Sequence, residues 1–151
     1  MSDYPDSICI AYPYVFPQDT DLPIDYSIEA HCTLIYLGEI QEANFTKEDL
    51  RHVLDSWTFE GLGIVDVSGL ALFGPNKDVL VMTLDSSVLM DYFEEIAHDL
   101  SLRGIENKSS FPDYNPHITL NEAYHGPTVG FTLPTTVGLG APEVWWGDER
   151  A

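Results

Sequence analysis

The chain repeats one tetrad pattern. His31-Cys-Thr-Leu and His117-Ile-Thr-Leu lie 86 residues apart in a chain of 151. Each falls in a β-branched and aromatic run, residues 30–38 and 114–120, that reads as a strand. Residues i and i+2 of a strand share a face. His31 and Thr33 therefore point one way and Cys32 and Leu34 the other. His117 and Thr119 repeat this against Ile118 and Leu120. The apolar faces must pack under helices, which leaves the His/Thr faces toward something polar. If the two halves are related by an approximate two-fold, the two pairs meet across one cleft.

The segments between the tetrads are consistent with that reading. Residues 7–13 form a first strand bounded by proline, and 16–25 a loop rich in Pro and Asp. Thr46 caps a helix with acids in its first turn, and Leu50, Val53, Leu54 and Trp57 follow at helical spacing. Residues 63–74 and 79–84 read as a hairpin turned at Pro75-Asn76-Lys77. A second helix starts near Asp85 or Ser86, carries Leu89, Tyr92, Phe93, Ile96, Ala97 and Leu100, and stops at Gly104. Residues 125–146 are β structure punctuated by Gly and Pro, and the last five residues read as a frayed tail. The whole is one α+β domain over 1–151, with two helices and seven or eight strands.

Composition narrows the partners. Six Lys and Arg against 25 Asp and Glu give a net charge of −19. Wrapping long nucleic acid needs rows of cations, and an anionic membrane repels such a chain. No stretch approaches the ~20 apolar residues of a membrane-spanning helix. The N-terminus lacks the pattern of a signal peptide. Cys9 and Cys32 sit in apolar runs and read as buried thiols of a cytoplasmic protein, although two cysteines also permit one disulfide.

Two histidines and two threonines on one polar surface suit phosphodiester chemistry. A neutral imidazole takes a proton from a ribose 2′-hydroxyl or a water, and an imidazolium gives one to the leaving oxygen. Both roles need a pKa near neutrality, which histidine supplies unassisted. The threonine hydroxyls can donate to the non-bridging oxygens as charge builds there. That skeleton needs no metal and no cofactor.

With both His-x-Thr motifs in apolar strands half a chain apart, the sequence resembles the 2H phosphoesterase superfamily. The family includes RNA ligase T-like proteins, 2′,3′-cyclic phosphodiesterases, 2′,5′-oligoadenylate phosphodiesterases and phage enzymes that destroy cyclic oligonucleotide immune signals. The resemblance implies a bilobal fold, with two pseudo-symmetric lobes of antiparallel sheet, each backed by a helix, around a central cleft. It also implies metal-independent cleavage, with His31, Thr33, His117 and Thr119 as the catalytic set. The chain departs from the family in its shortage of basic residues. That favours a small nucleotide as partner, a cyclic oligonucleotide first. Processing of 2′,3′-cyclic ends or of 2′,5′-linked oligonucleotides would use the same four residues. An acidic mimic of nucleic acid that occupies a DNA-binding partner is the reading of another class.

Candidate base contacts are Tyr12 and Tyr14 at the end of the first strand, Phe111 and Tyr114 before the second motif, and Trp146 with its neighbour Trp145. Glu143 can accept from a base edge or orient a histidine. Lys77 and Lys108 are the cations with a route to the cleft; Arg103 belongs to a helix C-terminus. His52, His98 and His125 read as solvated.

Overall fold

The computed structural model describes residues 6–57, 63–109 and 114–151. Phe111 lies outside them. The chain runs β1 (Ser7–Pro13), β2 (His31–Glu39), a single 3-10 turn (Ile40–Glu42), α1 (Lys47–Asp55), β3 (Gly63–Phe73), β4 (Val79–Asp85), α2 (Ser87–Leu102), β5 (His117–Asn121), β6 (Thr136–Leu139), β7 (Glu143–Trp146) and β8 (Glu149–Arg150). No helix among the described residues is long and apolar enough to cross a membrane.

Local chemistry sets the element boundaries. The Thr46 hydroxyl accepts from the Asp49 N–H while the Asp49 carboxylate accepts from the Thr46 N–H, a closed capping box that starts α1. The Ser86 hydroxyl does the first half of this for α2. Gly104, at a φ of 78°, reverses the chain after α2 where a side chain would be strained. The second motif strand begins at His117, not at Tyr114: a proline at 116 offers no N–H to the ladder, and the Pro116 carbonyl accepts from Leu84 N–H instead.

The sheet departs from the sequence-based expectation. All eight strands form one antiparallel sheet, in the order β6-β3-β4-β5-β2-β1-β7-β8, in place of two separate lobes. The reason is the join between β5 and β2, where Cys32 pairs with Ile118 and closes what would have been a gap. α1 packs on β7 and α2 on β2. The last residues are not frayed. Glu149 and Arg150 pair with Trp146 and Trp145, and Ala151 exchanges both backbone hydrogen bonds with Val144.

One face of the sheet carries the core. Leu50, Val53 and Leu54 of α1 and Leu89, Ile96 and Leu100 of α2 are buried with Ile8, Ile10, Tyr12, Cys32, Leu34, Met82 and Ile118. Each such aliphatic side chain contributes ~1.5–3 kcal/mol by leaving water. The opposite face buries Cys9, Ala11 and Trp145 as a separate small cluster. Irregular pairing between β1 and β2 lets Leu34 and Ile35 both face the core. The bulge shifts the alternation of β2 by one residue, so that Tyr36 stands opposite Cys9 as Thr33 stands opposite Ala11.

Candidate active site

The Cys32–Ile118 pair is antiparallel, so continuing its register by one residue in each direction sets His31 beside Thr119 and Thr33 beside His117. Extended in this way, the register puts the histidines on one diagonal of a four-residue patch and the threonines at its other two corners. Such diagonal neighbours in an antiparallel pair stand ~7–8 Å apart, room for one phosphate between two imidazoles. All four residues are half-buried. Four strands of the sheet lie on each side of this junction.

Both imidazoles are fixed in the same way. His31 Nδ1 lies 2.9 Å from the Glu29 carbonyl and His117 Nδ1 2.7 Å from the Asn115 carbonyl. A carbonyl only accepts, so each Nδ1 carries the proton, and the neutral ring presents Nε2 as its lone pair. Neither Nε2 has a hydrogen-bond partner among the described residues. Each ring also rests on an aromatic neighbour. Trp145 lies 4.3 Å from His31, tilted by 45°, and Phe73 meets His117 edge-on at 5.0 Å. Burial holds both imidazoles below their ordinary pKa, opposed by the Nδ1 hydrogen bonds. Mutual repulsion of the two imidazolium forms lowers His31 further. Beside Thr33, burial pushes the Cys9 thiol up to about 12, so it is a neutral neighbour and not a thiolate.

The flanking candidates divide. Tyr114 donates its hydroxyl to the Thr33 carbonyl at 2.9 Å and stacks on Phe93 with centroids 4.6 Å apart. It forms part of a cavity of about 230 Å³ that also reaches Thr33, His117, Phe73, Asn115 and Lys77. The cavity takes in one corner from each motif and leaves His31 outside. Glu143 pairs with Ala11 of β1 and accepts from Trp145 Nε1 at 2.9 Å, so it orients that indole and not a histidine.

Tyr12, Tyr14 and Trp146 do not reach the motifs. Tyr12 shares the core face with Ile8 and Ile10 and is fully buried, its hydroxyl without a protein partner among the described residues. Tyr14 packs edge-on against Phe16 in a different cavity, with Asp19 and Asp21. Trp146 pairs with Ile8, which turns it toward Phe45 and away from the His/Thr face. Strand alternation makes its neighbour Trp145 the residue at His31. Lys108 pairs with Glu106 and lies against Gly38.

Arg150 is the residue that the sequence concealed. Its guanidinium lies 3.8 Å from the Trp145 ring centre. It also grips both Glu29 carboxylate oxygens, at 2.6 and 3.0 Å. Glu29 in turn supplies the carbonyl that fixes His31. One cation therefore braces His31 along two routes, through the indole and through the residue two before it. Arg150 holds the Glu29 carboxyl below its usual range.

The fold is similar to that of TT0787 from Thermus thermophilus, with 20% identity over 91% of this chain and 85% of that chain and a TM-score of 0.55. At that identity the likeness is one of fold. No family model and no curated protein matches the sequence.

Proposed function

We propose that this chain is a phosphodiesterase of the 2H type that cleaves a small nucleotide by paired histidine acid–base catalysis without a metal. The observation that carries the reading is the matched anchoring of the two histidines. Two Nδ1 atoms are pinned to the carbonyl two residues back, and two Nε2 atoms are left unpartnered on either side of one sheet junction.

Both imidazoles are neutral at rest, because burial disfavours their charged forms. An anionic phosphodiester bound between them reverses that balance and draws a proton onto one ring. The other Nε2 then removes the proton of the ribose 2′-hydroxyl. The 2′-oxygen bonds to phosphorus, the bond from phosphorus to the 5′-oxygen breaks, and the imidazolium protonates that oxygen. The products are a 2′,3′-cyclic phosphate and a free 5′-hydroxyl, with the proton exchanged between the rings and reset through solvent. Thr33 and Thr119 donate to the non-bridging oxygens. In a chain of net charge −19, a compact ligand held by a local pocket suffers less repulsion than a long polyanion. A cyclic oligonucleotide is the favoured form.

The test is a panel of cyclic di- and trinucleotides, 2′,3′-cyclic nucleotides and 2′,5′-oligoadenylate, each incubated with and without EDTA. The proposal expects one class to be consumed equally under both conditions, and only residually by His31→Ala or His117→Ala. Loss of turnover with EDTA, or full turnover by either variant, would contradict it. Product analysis separates a cyclic oligonucleotide from the 2′,3′-cyclic and 2′,5′-linked alternatives.

A further inference from the structure

Six residues of this chain are Lys or Arg. Five are engaged by carboxylates: Lys47 by Glu149, Arg51 by Asp55, Arg103 by Asp99, Lys108 by Glu106 and Arg150 by Glu29. Lys77 is the exception among the described residues. With 25 acids in the chain, and with Asp78 next to it in the same turn, a lysine that pairs with no carboxylate leaves its ammonium for another anion. It sits in the β3–β4 turn and lines the cavity that reaches His117 and Thr33. Its backbone is left-handed, with a φ of 51°, the one such non-glycine residue among those described. A lysine there costs more than a glycine would, so the turn carries its cation at the expense of local strain.

We propose that Lys77 binds a second phosphate of the substrate, one nucleoside away from the scissile phosphate. This rests on the phosphodiesterase reading and narrows its substrate. The scissile phosphate lies among the two histidines and two threonines, where no cation lines the cavity except Lys77. Besides Lys77, which is exposed, the cavity is lined by the rings of Phe73 and Tyr114 and the amide of Asn115. Rings and an amide suit a nucleoside, with stacking surface and hydrogen-bond partners. A flexible ammonium at the rim then suits the next phosphate as a point charge. The ligand class is a nucleotide with at least two separated phosphates, such as a cyclic oligonucleotide. A 2′,3′-cyclic mononucleotide leaves Lys77 without a ligand.

Three uncleavable 2′-deoxy dinucleotide probes test this by calorimetry: one with a 5′-terminal phosphate, one with a 3′-terminal phosphate and one with neither. One phosphorylated probe is expected to bind at least about fivefold more tightly than the bare one, the strength of a single exposed charge pair at contact. That ratio falls to near one in Lys77→Gln and is kept in Lys77→Arg. Equal weakening of all three probes in Lys77→Gln, an unchanged ratio, or no binding by any probe overturns the inference. Cleavage of the corresponding ribo-dinucleotide by the unmodified chain, and its loss in His31→Ala, is measured alongside. A chain that cleaves but shows no Lys77-dependent phosphate preference fails this inference alone.

Discussion

Removing the Arg150 guanidinium should raise the pKa of His31, and removing the Glu29 carboxylate should lower it. The distances fix the size. Arg150 lies 3.8 Å from the centre of Trp145, and Trp145 lies 4.3 Å from His31, so the charge is within about 8 Å of the imidazole. At that range a unit charge is worth roughly 0.5 kcal/mol in water and roughly 2 kcal/mol at the effective dielectric of a protein surface. The half-exposed position of Glu29 favours the lower part of this range. In the intact chain the two charges largely cancel at His31. In Arg150→Gln the imidazole loses a repelling cation, which leaves the attraction of the Glu29 carboxylate uncancelled and favours the protonated form. A rise of about 0.4 pH unit or more follows. Glu29→Gln leaves the guanidinium uncompensated and shifts His31 the other way, and the double variant returns it near the original value. NMR titration of the imidazole carbon-bound protons measures this, with His117 as the internal reference because its carbonyl partner belongs to the uncharged Asn115. Shifts of the same sign in both single variants, or an unmoved His31, would refute the brace.

Three other outcomes follow from the packing. Tyr12→Phe should change stability by no more than about 1 kcal/mol in denaturant titration and leave turnover intact, because the lost hydroxyl has no protein partner among the described residues. Trp145→Leu should cut kcat/KM by about tenfold or more through His31, whereas Trp146→Leu should lower the unfolding midpoint without changing turnover per folded molecule. Both histidines have folded pKa values below their unfolded value of about 6.5. Their contribution to stability is therefore complete above that pH and is lost as the pH falls toward the folded values. Denaturant midpoints between pH 8 and 5 should decline less in a chain with both histidines replaced by asparagine.

The parts of the site that the sequence exposes are those governed by period and spacing. Two tetrads in strand context place His31, Thr33, His117 and Thr119 on common faces, and the register of Cys32 with Ile118 brings those faces together. The helix cap at Thr46 and the stop at Gly104 were legible for the same local reason. Tyr12 was not, because both faces of β1 are buried: Cys9 and Ala11 on one side are as apolar as Ile8 and Ile10 on the other. Alternation then carries no signal about which face meets a ligand. Trp145 and Trp146 are adjacent and chemically identical, so only the pairing of β7 with β1 decides which of them meets His31. Arg150 and Glu29 are separated by 121 residues, and no local pattern joins them. The single continuous sheet is also a long-range outcome, set by one contact between β2 and β5.

The pairing of the two histidines as acid and base is tested most directly by the pH dependence of kcat/KM on whichever substrate the panel identifies. The intact chain should give a bell with its maximum below pH 6.5, since burial lowers both imidazoles. Residual activity in His31→Ala and in His117→Ala should each lose one limb of that bell, and the two should lose opposite limbs. A profile without limbs in the intact chain, or the same limb lost from both variants, would contradict the account.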